Sequence, residues 1–423
     1  MENRLSAAIL GAGARGTMFA EKLASRVHQF TVTAICDINP EQLNKCKKIL
    51  SISDEQLFDD EERFFEKKRA DVMVIATYDK YHVRQCVRAL KMGYDVVLEK
   101  PISDSREEID LLLKTQKETG CLIVVCHELR YGAAFEKLGE LLSSGVIGRL
   151  IAIDAMERVR YWHQAQAYVR IQSVRNEVAH PTILAKCSHD LDLIQSYAGA
   201  ACETVTSIGD LTFFRKESAP EDSTQYCLDC PHMETCPYSA KRIYVDAWKA
   251  QGCPEFVWPF NKVSLKKPTT EEDLYEGLRT SYFGQCVFHL GNEKYEHVVD
   301  HQLVQMMFKN GVTATLKMVF AAEAGRRINL FGTYGELLLD ERSATIEVRP
   351  FGEKKEIIHF SDLIGSREGH GGGDDRLVNS LYDIFTRKSV NRTSLAESVE
   401  SHLIGISAEE SRLNGGKLIY VHP

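Results

Sequence analysis

The sequence predicts an α/β chain in two parts: a parallel sheet wound with helices on both faces, then an α+β part ending in antiparallel strands. Three observations carry this. Through residue 126, short apolar runs alternate with helical stretches, the pattern of strands buried on both faces. The first run leads into a glycine-rich turn and a helix. In the C-terminal third, apolar runs instead follow one another directly, and two of them flank Asn310-Gly311, a strong hairpin signal.

The elements follow in order. Leu5 to Leu10 reads as a strand, Gly11-Ala12-Gly13-Ala14-Arg15-Gly16 as a turn, and the next stretch to about Ser25 as a helix. A second strand, Thr31 to Cys36, ends at Asp37, 21 residues after Gly16. Strand, G-x-G-x-x-G, helix, strand, acid is the pattern of a Rossmann dinucleotide site. Gly11 permits the tight turn, Gly13 lets backbone approach a pyrophosphate, and Gly16 lets helix and strand pack closely. The phosphates sit on the helix N-terminus, so Ala14 and Arg15 join the candidate cofactor residues. Asp37 favours NAD over NADP, because a carboxylate accepts from a ribose 2′-OH and repels a 2′-phosphate. The alternative is that Asp37 caps the helix beginning near Pro40.

Asp71 to Ala76 is an apolar strand, and Thr77, Asp79 and His82 follow it at the sheet edge where such folds bind ligands. A helix from about His82 to Met92 stops at Gly93, and a strand from Asp95 to Leu98 leads into Glu99-Lys100-Pro101. A helix from about Ser105 to Glu118, ended by Gly120, and a strand from Cys121 to Cys126 complete the first part. We set its limits at 1–126, with 127–423 as the second part.

Together G-A-G-A-R-G, C-D-I-N-P, I-A-T-Y-D-K-Y-H and V-V-L-E-K-P-I-S resemble the Gfo/Idh/MocA oxidoreductases, the relatives of glucose–fructose oxidoreductase and inositol dehydrogenase. The resemblance covers the whole N-terminal part, and E-K-P is its most specific element. It implies an NAD-dependent hydride transfer at a secondary hydroxyl of a carbohydrate-like small molecule. It also implies a second domain with a large open, mainly antiparallel sheet, and a homo-oligomer, dimer or tetramer. The lysine of E-K-P, here Lys100, would sit beside the reactive carbon and the nicotinamide. Relatives that recycle the cofactor, oxidising, eliminating a glycosidic group and re-reducing, leave a redox-neutral reaction open. A non-catalytic nucleotide- or sugar-binding protein is the third reading.

In the second part Arg130 heads a helical stretch running to about Gly148, and Leu150 to Met156 reads as a strand. Between Arg158 and Asn176, Trp162, His163, Arg170 and Arg175 combine rings with hydrogen-bonding groups, which suits a polyhydroxylated substrate or, through the arginines, an anion. The alternative is a small aromatic core and exposed arginines. In Leu184-Ala185-Lys186-Cys187-Ser188-His189-Asp190-Leu191-Asp192-Leu193, His189 and Asp192-Leu193 match half of the family's D-x-G-x-H-x-x-D-L pattern. Its upstream aspartate is replaced by Ala185. His189 becomes the proton-transfer candidate, Lys186 its electrostatic partner on the same helix face, and Asp190 or Asp192 the group that orients it.

Twelve cysteines is a high count. Most stand singly in apolar runs as core residues. Cys227, Cys230 and Cys236 form C-x2-C-x5-C in an insert at about 215–285, a spacing that suits zinc held by four ligands. We take Cys253 as the fourth, with Cys286 or His232 as alternatives; an iron–sulfur site, a redox pair or plain loop cysteines remain open. Further on, His301 opens a strand-like run and either faces the cleft or sits between strands. Gly369-His370-Gly371-Gly372-Gly373-Asp374 is either a loop that approaches a ligand or the start of a helix capped by Asp374.

Composition bounds the rest. The 423 residues suggest two or three folding units. With 44% hydrophobic and 26% charged residues the chain is neither fibrous nor disordered. The net charge of −8, without a basic stripe, argues against nucleic acid. No apolar run reaches the roughly 18 residues of a membrane span, and Met1-Glu2-Asn3-Arg4 opens no secretory signal, so a cytoplasmic protein without membrane partners is expected.

Overall fold

The computed structural model describes residues 4–171, 180–255, 257–291, 296–363 and 370–422. Its first sheet is parallel throughout. It comprises β1 (Leu5–Leu10), β2 (Phe30–Cys36), β3 (Leu57–Phe58), β4 (Val72–Ile75), β5 (Asp95–Leu98) and β6 (Ile123–Val125), in the order β3-β2-β1-β4-β5-β6. All four residues of β4 are buried, as a strand covered on both faces requires. The covering helices are α1 (Ala14–Ser25), α2 (Pro40–Leu50), α3 (His82–Lys91) and α4 (Arg106–Thr119). The last of these starts on a Ser105 cap and stops at Gly120, whose φ is +69°.

The second sheet has nine strands: β7 (Leu150–Arg160), β8 (Cys202–Asp210), β9 (His301–Phe308), β10 (Thr313–Ala321), β11 (Gly325–Gly332), β12 (Gly335–Asp340), β13 (Thr345–Pro350), β14 (Glu356–His359) and β15 (Ile419–Tyr420). Their order is β14-β13-β12-β11-β7-β10-β9-β8-β15, antiparallel except where β7 lies parallel to β10. The Asn310-Gly311 hairpin joins β9 to β10, with Gly311 at φ +86°. The strand expected at 150–156 runs on to Arg160, because β10 and β11 pair with it along its whole length. One face buries Ile153, Ala155, Val304, Met306, Leu316 and Ile328. Helices α5 (Ala133–Ser143) and α6 (Thr182–Ala198) contribute to this core. The other face carries Ile208, Leu303, Met307 and Phe331 among Asp154, Thr315 and Lys317.

The insert folds around its own apolar cluster, built from Phe214, Cys227, Tyr244, Trp248, Leu274, Leu278 and Cys286, and includes α7 (Glu271–Thr280). Two C-terminal helices, α8 (Gly373–Phe385) and α9 (Leu395–Leu413), then return to the first sheet. Leu377, Val378, Leu381 and Ile384 of α8 fill one side of its core, and Leu395 and Val399 of α9 the other. Lys22 of α1 pairs with Asp375 of α8 at 2.6 Å. The parallel sheet spans 5–125, yet its core is completed by residues some 250 positions downstream. Apolar periodicity cannot report this, since it marks a buried face without naming what covers it.

Leu381 is fully buried in that shared core. Leu381→Ala should destabilise the protein by about 2–5 kcal/mol, read from urea unfolding. A loss below about 1 kcal/mol would show that α8 merely rests on the first sheet.

Candidate active site

The turn after β1 is shaped by its glycines. Gly11 has φ +91°, and a Cβ there would lie 2.5 Å from the Ala76 carbonyl oxygen. A Cβ on Gly16 would lie 1.7 Å from the Gly11 carbonyl oxygen, so strand and helix meet only through glycine. At Gly13 a Cβ would meet nothing within 4 Å. The space beside this backbone is open, Ala14 is exposed, and the first turn of α1 has neither an acidic side chain nor a side-chain cap. Its N–H groups and the positive end of the helix dipole therefore face outward, as an anion requires.

Asp37 closes the turn from the side. Its Oδ2 accepts from the Ala12 N–H at 2.6 Å and its Oδ1 from the Asn39 N–H at 2.8 Å. The cap of α2 is Asn39, which accepts from the Glu41 N–H, so Asp37 is not the helix cap. Its carboxylate is half-buried at the end of β2. These residues fit a dinucleotide whose phosphates lie over Gly13 and whose ribose reaches Asp37.

The neighbouring loops are braced. Thr77 Oγ1 donates to Gln85 Oε1 at 2.5 Å. Asp79 opens a short turn leading into α3. His82, expected at the cofactor, is instead buried, with Nδ1 2.8 Å from the Pro101 carbonyl oxygen and Nε2 3.3 Å from that of Thr77. It pins the loop after β4 to the cis Lys100-Pro101 peptide.

Arg15 is also turned from its expected place. Its guanidinium is drawn to Glu99 at 2.5 Å, to Asp374 at 2.9 Å and to Glu128. Three carboxylates share one cation, and Glu128 is the most deeply buried. Burial raises the Glu128 carboxyl against the opposing charge of Arg15, and the Glu99 charge raises it further. Asp374 goes the other way: despite burial, the hydrogen bond from His370 and the charge of Arg15 hold it at about 2. It is not the cap of α8, which begins after Gly372.

Glu128 connects this cluster to α6. Its Oε2 lies 3.7 Å from His189 Nε2, and the His370 and His127 rings stand 5.3 and 5.9 Å from the His189 ring. Neither nitrogen of His189 has a hydrogen-bond partner among the described residues. Burial, then the charges of Lys100 and the neighbouring rings, lowers His189 well below 6.5, so it is neutral at pH 7. Lys100 Nζ lies 3.4 Å from the Ala185 carbonyl oxygen, one turn before His189 on α6.

Lys186, Asp190 and Asp192 are occupied elsewhere. Lys186 pairs with Glu157 of β7 at 2.8 Å, and Arg326 of β11 bridges Glu157 at 3.1 Å and Asp190 at 2.9 Å. This buried network holds α6 to the second sheet, so Lys186 faces a carboxylate rather than His189. Asp192 takes a two-pronged hydrogen bond from Arg130, at 2.6 and 2.8 Å, which removes Arg130 from the expected substrate set. The carboxylate facing His189 is Glu128, which pattern matching along α6 could not supply.

Trp162 and His163 pack against Trp258 of the insert, with ring centroids 5.0 and 4.9 Å apart. Burial, then the charges of Lys186 and Lys100, lowers His163 to about 3. This aromatic group therefore stands beside the two lysines. Trp258 gave no sequence signal, being a single ring in an insert. Arg170 reaches across to the insert, donating to the Gln285 and Tyr238 carbonyls. His301, half-exposed, has Asp300 as its partner at 2.7 Å at the start of β9. Arg175 lies outside the described residues. Cys227, Cys230 and Cys236 line one small cavity with Cys286, whereas Cys253 is exposed and does not line it.

With this geometry in view, residues 5–127 match the oxidoreductase family with an NAD-binding Rossmann fold, Gfo/Idh/MocA. That segment carries the NAD-binding Rossmann fold of this family. The chain is 24% identical over 390 residues to YteT of Bacillus subtilis (strain 168), whose name assigns it to the oxidoreductases and goes no further; the match covers 86% of this chain and 85% of that protein. It is 23% identical over 207 residues to the 2,7-anhydro-N-acetylneuraminate hydratase of Mediterraneibacter gnavus, covering 49% of this chain and 52% of that enzyme. Among solved structures, levoglucosan dehydrogenase in complex with NADH and levoglucosan superposes with a TM-score of 0.70 over 100% of both chains at 13% identity, a likeness of fold. The protein is an oxidoreductase with an NAD-binding fold.

Asp374 yields an acid-stability prediction. Its folded value of about 2 lies below the ordinary 3.8. Its contribution is therefore whole above pH 4 and is lost as the pH falls through 2. Lowering the pH from 6 to 3 should weaken the native protein by about 1 kcal/mol more than Asp374→Asn, measured by thermal unfolding. Equal acid sensitivity of the two proteins would mean that the Arg15–Asp374 pair is not formed in solution.

Proposed function

We propose that the protein moves a hydride between NAD and the carbon of a secondary hydroxyl in a sugar, cyclitol or sugar derivative. The observation that carries this is the meeting of a neutral, unpartnered His189 with Lys100 at the C-terminal edge of the first sheet, beside an open phosphate-binding turn. That edge is where open α/β sheets bind ligands.

In this reading Lys100 donates a hydrogen bond to the hydroxyl oxygen and stabilises the negative charge that develops there. His189, kept neutral by burial, takes the hydroxyl proton. Glu128 lies 3.7 Å away and steadies the imidazolium once formed. The carbinol becomes a carbonyl as its C–H electron pair leaves; bound NAD supplies the acceptor for that hydride. Trp162, His163 and Trp258 offer ring faces to the C–H side of the substrate. Asp37 selects NAD by repelling a 2′-phosphate. A homo-oligomer joined through the exposed face of the second sheet fits the apolar residues there, and a cytoplasmic site of action fits twelve cysteines that are all free. No helix of the described residues is long and apolar enough to cross a membrane.

One relative is named a hydratase, and hydration moves no net electrons. This favours a second reading in which the same residues serve a redox-neutral reaction with NAD recycled on the enzyme. Bulk accumulation of NADH during turnover supports the dehydrogenase; product formation without it supports the second reading.

Lys100→Met should leave NAD affinity within about twofold and lower kcat by at least 10²-fold, checked by titration of bound cofactor and steady-state rates on a panel of sugars and cyclitols. A kcat within fivefold of the native value would remove Lys100 from the chemistry. Asp37→Asn should weaken NAD about tenfold, roughly 1.4 kcal/mol, while NADP binding stays level or improves. Parallel losses for both cofactors would instead mark Asp37 as a support for the turn.

A further inference from the structure

We propose that Cys227, Cys230, Cys236 and Cys286 form a structural zinc site that ties together the two ends of the insert. The four side chains line a single cavity of about 20 Å³. That volume accepts about one water or one ion.

The backbone brings the distant cysteine to the other three. Tyr226 and Gln285 form an antiparallel bridge, and the Cys286 N–H donates to the Gln225 carbonyl at 2.9 Å. This places positions 227 and 286 side by side. Each cysteine also heads a tight turn. Cys230 N–H donates back to Cys227 at 3.3 Å, Met233 to Cys230 at 3.0 Å, Ser239 to Cys236 at 3.1 Å and His289 to Cys286 at 3.1 Å. Two turns from separate stretches of chain thus bring four cysteines to one cavity, and four thiolates are a ligand set that tetrahedral zinc takes.

A second feature of the molecule points to an anionic centre. Four thiolates around Zn²⁺ carry a net charge of −2. Arg170 is fully buried, and its Nη2 lies 3.6 Å from Cys227 Sγ. Its Nη1 has no hydrogen-bond partner among the described residues. Its guanidinium, which also donates to the Gln285 and Tyr238 carbonyls, would have in a tetrathiolate zinc a negative partner beside Cys227. Cys253, the fourth ligand expected from the sequence, is exposed and outside the cavity. His232 lines the cavity, but its Nε2 is held 2.6 Å from the Glu221 carbonyl oxygen.

The site would lock the segment at 227–236 to that at 286, between which the chain carries Trp258 to Trp162 and His163. The metal would act by holding the insert.

The test is metal analysis of the full chain grown with zinc and passed over a desalting column. One zinc per chain is expected, without iron or sulfide. Cys286→Ser should fall below about a tenth of that, while Cys253→Ser and His232→Ala keep it. If Cys286→Ser does not fold, the native protein decides: titration with a mercurial should release zinc in step with four thiols, and exchange with cobalt(II) should give the spectrum of tetrahedral thiolate ligation. Native protein without zinc, with four freely reacting thiols or with disulfides, overturns the proposal. So does iron in place of zinc, or loss of zinc from Cys253→Ser or His232→Ala.

Discussion

A single guanidinium facing three carboxylates fixes the geometry of the cleft. Arg15 comes from the glycine turn, Glu99 from the end of β5, Glu128 from the turn after β6, and Asp374 from the first turn of α8. These four pieces of chain meet at one cation. The arrangement depends on Arg15, because removing it leaves three carboxylates together without their cation. It is also specific, since only one placement of α8 brings Asp374 to Arg15. The return of the C-terminal helices to the first sheet is therefore held at the same point as the cleft itself.

The same economy of charge explains how α6 serves two ends. Its one face carries Lys186 and Asp190 to Glu157 and Arg326, and so docks on the second sheet. Asp192 meets Arg130 from the turn region after β6. Only His189 and the backbone of Ala185 remain toward Lys100. Position 185 offers no carboxylate to His189; Glu128 reaches it instead from the turn after β6. His189 and Glu128 thus come from separate elements, and their approach depends on how α6 docks against that turn.

Much of this was legible in the sequence where the signal is local. The glycine turn, Asp37, E-K-P and the Asn310-Gly311 hairpin each need only a few adjacent residues, and each stands where its spacing put it. What was not legible is what depends on distant partners. Arg15, Arg130 and Arg170 are arginines at plausible ligand positions, and each is taken by a carboxylate, carbonyl or thiol from far along the chain. Lys186 sits three residues before His189 on one helix, but the strand beneath supplies Glu157 and claims it. Cys286 and Cys253 are equally good ligands by spacing; only the bridge between Tyr226 and Gln285 chooses between them. The expected limit at residue 126 marks the last parallel strand rather than the end of that domain's core, since α8 completes it.

Unsatisfied buried groups are spread through the molecule, and some of them gather beside His189. Buried polar atoms without hydrogen-bond partners each cost about 1–3 kcal/mol and are few in native folds. Here both nitrogens of His127, both of His189 and Oε2 of Glu128 are buried and unpartnered among the described residues, and they lie side by side. A core has no reason to concentrate such groups, because apolar residues of similar size would fill the space more stably. In the reading proposed above, the hydroxyls of a bound substrate would supply the missing partners, and stability withheld from the free protein would become binding energy.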